Sequence, residues 1–148
     1  MSESAQAAQR PAPSPSEVAL ASPLIRSGAR WFWWIAGLSV VNIVLFQTKS
    51  NASFVLGLGI TALSDAAFAN DKLTGFVIDA AAVGFFVLMG LQAARGKLWA
   101  FYVGLAVYAL DALIYLNYED WMPVAFHALA IFFIVRGAMA LRAGLRPA

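Results

Sequence analysis

Four stretches of this chain come close to the ~20 apolar residues that an α-helix needs to cross the roughly 30 Å of hydrocarbon in a bilayer. Trp31–Thr48 carries no charge; Leu73–Ala94 is interrupted only by Asp79 and Leu98–Tyr118 only by Asp111. Trp121–Leu141 contains Arg136 and the single histidine of the chain, His127. A soluble domain does not tolerate such runs, and the composition agrees. Charged residues make up 12% of the 148, about half of the ~25% usual in soluble proteins. With a formal charge of +2 and no Lys/Arg stripe interleaved with exposed aromatics, nucleic acid is not indicated as a partner. The absence of cysteine excludes disulfides, thiolate metal sites and cysteine nucleophiles.

The connections set the topology. Arg95-Gly96-Lys97 and Glu119-Asp120 are so short that the second, third and fourth spans must form consecutive antiparallel hairpins. Asp120 suits the N-cap of the last span, and Pro123 falls in its first turn, where a missing N–H costs nothing. The sequence therefore predicts an all-α integral membrane four-helix bundle over residues 26–146, with spans at about 31–48, 73–94, 98–118 and 121–141. Residues 1–25 contain four of the six prolines, with Ala, Ser and Gln between them. They read as a disordered cytoplasmic tail, because they offer little apolar surface to offset ordering.

Residues 51–70 are the ambiguous piece. Their uncharged part, Asn51–Ser64, is short and contains Gly57 and Gly59, which fits a re-entrant or interfacial helix better than a span. Charge placement decides against a crossing, since Lys and Arg collect on the cytoplasmic side. If the segment does not cross, Arg10, Arg26, Arg30, Arg95, Lys97, Arg142 and Arg146 share one side. Lys49 and Lys72 then lie opposite, beside Asp71, Glu119 and Asp120. A crossing would destroy this asymmetry. The expectation is four spans in the cell (plasma or inner) membrane, with both termini cytoplasmic and 51–70 outside. Trp31, Phe32, Trp33, Trp34 and Trp99 at one face, and Tyr115, Tyr118 and Trp121 at the other, read as interfacial anchors.

Depth along each helix, at 1.5 Å per residue, puts Asn42, Asp79, Asp111 and His127 all about 9–10 Å from the outer end of their spans. Asp111 shares a helical face with Ala100, Gly104, Tyr108 and Tyr115, and Asp79 with Gly75, Ala82, Phe86 and Gly90. Small residues on these faces let membrane helices approach closely, which points both acids inward. An unpaired carboxylate at the bilayer centre costs about 2.5–3.5 kcal/mol on insertion scales, so the two acids need protons, partners or water. They can hydrogen-bond Tyr108, Tyr115 and Asn42 as a structural network, pass protons with His127, or bind a cation with it. Asp79, Asp111 and His127 are also the candidate ligands of a metal, by ligand type iron, manganese or zinc; Asp65 would complete that set if its segment folds back. Ser39 lacks a nucleophile-elbow motif, and there is no metalloprotease or P-loop signature.

The leading expectation is thus a small polytopic membrane protein of non-enzymatic interaction or accessory type, with a buried polar cluster in the outer half of the bundle. One alternative is a proton- or cation-binding protein for transport or sensing that uses Asp79, Asp111 and His127. The other is a metal-dependent membrane enzyme. No cofactor is expected under the leading reading. The expected partners are the lipid bilayer and further subunits, either copies of this chain or a larger membrane complex.

Overall fold

The computed structural model describes residues 12–48 and 57–146. All regular structure in them is helical: α1 Pro15–Ala21, α2 Pro23–Gln47, α3 Gly59–Ala67, α4 Lys72–Ala94, α5 Leu98–Asn117 and α6 Trp121–Gly144. Four of these, α2, α4, α5 and α6, are long and apolar enough to cross a membrane. They close a ring in which α2 packs on α4 and α6, and α5 completes it between α4 and α6. The short α3 docks against α4, α2 and α5 at one end of the bundle, and α1 packs on α2, α6 and α4 at the other.

The helix ends follow local chemistry. Both interhelical turns are Schellman motifs, in which the residue beyond the cap enters the left-handed region and two backbone N–H groups turn back onto the last carbonyls. After α4 the N–H of Gly96 donates to Ala93 O (3.0 Å) and that of Lys97 to Gln92 O (3.0 Å). After α5 the N–H of Glu119 donates to Leu116 O (3.2 Å) and that of Asp120 to Tyr115 O (3.1 Å). Gly96 takes φ 74° at no cost, whereas Glu119 adopts φ 56° with a side chain attached. Asp120 occupies the N-cap position of α6 as expected, but its side chain makes no capping bond. The cap of α4 is Asp71, which accepts from Thr74 N (3.3 Å) and Thr74 Oγ1 (2.6 Å). These bonds hold its carboxyl below the ordinary range.

Two expectations need correction. The stretch read as a disordered tail is helical from Pro15 onward, and α2 begins at Pro23, eight residues before the expected start of the first span. The signals were present: Ser14 and Glu17 form a reciprocal capping box with Pro15 in the first turn, and Ser22 caps α2 ahead of Pro23. The prolines thus open helices, where their fixed φ is already suitable. Val18 and Ala19 give α1 an apolar side that meets the core, which supplies the burial a free tail would lack. Residues 1–11 of the predicted tail, and 51–56 of the predicted outer segment, lie outside the described residues. Phe32, grouped with the interfacial aromatics, is instead fully buried.

The core is built by close helix approach. A Cβ on Gly28 would lie 2.9 Å from Gly137 Cα and 3.2 Å from Phe133 O, so α2 and α6 touch backbone to backbone. A Cβ on Gly104 would meet the Phe32 ring; that ring packs 6.0 Å from Phe101 and 6.3 Å from Phe86 between centroids. Phe86 in turn meets Tyr108 edge-on at 5.8 Å. This aromatic column leads along the bundle to the polar residues near α3.

Candidate functional site

Asp111 and His127 lie eight residues on either side of Glu119, the turn residue of the α5–α6 hairpin. An antiparallel hairpin folded at that point brings the two side chains face to face. His127 Nε2 is 3.0 Å from Asp111 Oδ2, with the side chains almost wholly buried. The other ring nitrogen, Nδ1, is 2.8 Å from Pro123 O. A carbonyl only accepts, so Nδ1 carries a hydrogen and donates it. One further proton then sits between Nε2 and Oδ2.

The carboxylate has two more donors. Gly59 N–H donates to Oδ2 (2.7 Å) and Ile60 N–H to Oδ1 (2.9 Å). These are the first two residues of α3, whose N-cap, Leu58, offers no side-chain oxygen. The first N–H groups of a helix have no partner within it, and that end carries partial positive charge. Asp111 supplies the missing cap from another helix, 52 positions away. Ser39 completes the arrangement from α2: its hydroxyl accepts from Leu58 N–H (3.1 Å) and donates to Ile35 O (2.8 Å). Thr61 Oγ1 donates to Leu58 O (2.8 Å). The entry to α3 is therefore held by α2, α5 and, through the imidazole, α6.

Aromatic rings wall the pair. Tyr108 stacks on His127 with centroids 4.2 Å apart and planes within 14°. Tyr115 leans on the same ring at 5.4 Å and donates its hydroxyl to Gly57 O (3.2 Å). Gly59 lets the segment enter closely: a Cβ there would fall a tight 3.1 Å from both Ile114 and Tyr115 and 3.2 Å from Asp111 O.

The six expected cluster residues thus divide. Asp111, His127, Tyr108 and Tyr115 meet. Asn42 abuts Gly57 through its amide, and its buried Oδ1 has no hydrogen-bond partner. Asp79 stands apart. It is fully buried on α4, neither oxygen has a hydrogen-bond partner, and no bond or ion pair joins it to Asp111 or His127. The three-ligand metal set of Asp79, Asp111 and His127 does not assemble; among the described residues no three acidic or histidine side chains gather around a common point. Asp79 faces α3 instead. Ser64 Oγ lies beside it, outside hydrogen-bond geometry, with its proton directed to Gly75 O (3.1 Å). Asp65, next in the chain, is also buried. Its carboxyl is pushed up to about 6, first by burial and then by the charge of Asp79. Sequence reasoning did not find Ser39 and Ser64 as cluster members; both are common residues whose role exists only once α3 is docked. Comparison with known protein families, characterised proteins and solved structures gives no match, so the functional reading rests on the chemistry of these residues.

Proposed function

We propose that this is a non-enzymatic membrane protein of interaction or accessory type, in which the Asp111–His127 pair latches α3 into one end of the bundle. The observation that carries the reading is the full engagement of the pair. Both carboxylate oxygens and both imidazole nitrogens already have protein partners. A catalytic or shuttling pair needs a face turned to its substrate, whereas a latch needs every bond made. In this reading the arginine-bearing end faces the cytoplasm of a plasma or inner membrane, with α3 on the opposite side. The rigid surface presented by α3 is what a partner subunit or a second copy meets.

Cysteine chemistry tests this directly, because the chain has no cysteine of its own. Thr61→Cys places a thiol on the buried side of α3. It should resist a membrane-impermeant maleimide in the otherwise unchanged protein and react readily once His127→Ala is added. Equal protection in both backgrounds would remove the latch.

A further inference from the structure

Among the described residues, Asp79 and Asp65 are buried carboxyl groups that the latch does not use. A carboxylate without partners in an apolar interior is costly, and none of the described residues gives Asp79 a hydrogen bond. A cavity of about 350 Å³ opens between α2, α3 and α4 at the α3 end of the bundle, lined by Phe46, Gln47, Asp65, Phe68, Lys72 and Gly75 among others. Gly75, in its wall, lies one helical turn before Asp79 on the same face of α4. Ser64 touches that wall, 3.7 Å from where a Gly75 Cβ would sit. Asp65 lines the cavity itself, while Ser64 and Asp79 lie behind its Gly75 wall. We propose that Asp79, with Asp65 and Ser64, binds one small hard cation, sodium or a proton, that enters through this cavity.

The donor chemistry supports that class. All the available atoms are oxygens, which suit hard cations, and no nitrogen or sulfur is present to favour a transition metal. The hydroxyl of Ser64 gives its proton to Gly75 O, leaving oxygen lone pairs for a cation. Among the lining residues, α2 contributes only the uncharged Phe46 and Gln47, α3 contributes Asp65, and α4 contributes Lys72 at the exposed rim. Two carboxylates against one lysine leave a single negative charge, which a monovalent ion balances. Asp71, also near the start of α4, is occupied in capping Thr74. The site shares no hydrogen bond with Asp111 or His127, although α3, whose first turn Asp111 caps, supplies Ser64 and Asp65.

Infrared difference spectroscopy on the full-length protein in lipid nanodiscs tests the proposal through the stretch of the protonated carboxyl group. In one arm sodium chloride replaces choline chloride at fixed pH; in the other, pH is raised from mildly acid to mildly alkaline in choline chloride alone. A loss of the protonated-carboxyl band on adding sodium identifies sodium as the occupant, and a loss only on raising pH identifies the proton. The component of the band that belongs to Asp79 should vanish in Asp79→Asn, leaving only that of Asp65. In Asp65→Asn the midpoint of the response should move by about tenfold in ion concentration, as removal of one nearby charge in a partly desolvated site requires. No response in either arm would overturn the proposal, and so would an Asp79→Asn spectrum identical to the unmodified one. Should Asp79→Asn fail to fold, an unmoved midpoint in Asp65→Asn, which removes the other proposed carboxyl group, overturns it as well.

Discussion

At the scale of single residues, Asp111 bears the most. Its replacement by alanine would strand two backbone N–H groups and the imidazole in an apolar interior, and losing one partner of a buried charged cluster costs about 3–5 kcal/mol. Asp111→Asn keeps one acceptor oxygen and should cost roughly half as much, about 1.5–3 kcal/mol, the value of a charge-assisted hydrogen bond. Unfolding in detergent mixtures or by steric trapping would rank the two, and equal stability of Asp111→Ala and the unmodified protein would contradict the capping role. Asp65 makes a prediction in pH. Its folded-state carboxyl lies above the ordinary value of 3.8, at about 6, so the folded protein holds a proton that the unfolded chain has released. Its contribution is therefore complete below about pH 4 and lost as pH rises through about 6. Asp65→Asn should flatten that part of the stability profile. The Asp111–His127 contact was legible in the sequence, because the two residues lie at the same depth on consecutive antiparallel spans. The separation of Asp79 from it was not. Depth along a helix fixes the level of a side chain but not which neighbour it faces, and here α3 occupies the space between.

At the scale of elements, glycine substitutions distinguish packing from propensity. Gly37 and Gly84 have open space where a Cβ would go, so alanine at either should stabilise its helix by up to about 1 kcal/mol. Gly28→Ala meets the backbone of Gly137 and should instead destabilise by about 1–3 kcal/mol, the usual cost of overpacking. The two turns offer a matched comparison. Glu119→Gly would relieve a left-handed residue that costs about 1–2 kcal/mol with a side chain attached and should raise stability by a similar amount. Gly96→Ala should lower it, since a Cβ there also collides with the carbonyl of Pro15. Thermal unfolding of the five variants gives the signs. The spans themselves were readable because long uncharged runs have no other stable fate in a chain this apolar. α1 was obscured because its segment was read as offering too little apolar surface to order, whereas Pro15 and Pro23 each follow a serine cap and start a helix.

At the scale of the whole molecule, the surface is as apolar as the interior. Leu73, Phe76, Val77, Leu110, Leu113 and Met139 are each more than half exposed, as expected for a bundle surrounded by lipid, and the wider exposed faces of α2 and α4 continue the pattern. What distinguishes inside from outside is size and polarity: small residues, stacked aromatics and hydrogen-bonded side chains fill the centre. Arg136 shows the outward rule at work, lying exposed over the Phe132 ring at 5.5 Å. The two ends differ as well, with the arginines and α1 at one and α3 with its acids at the other.

The latch also imposes an order on assembly. Gly59 leaves the ribosome 52 residues ahead of the carboxylate that must receive its amide, and the imidazole behind that carboxylate follows 16 residues later still. Ser39, already in place on α2, receives Leu58 N–H, but the acceptor for Gly59 and Ile60 arrives only with α5. A nascent chain truncated before His127 would thus hold the carboxylate that caps α3 without the imidazole that backs it.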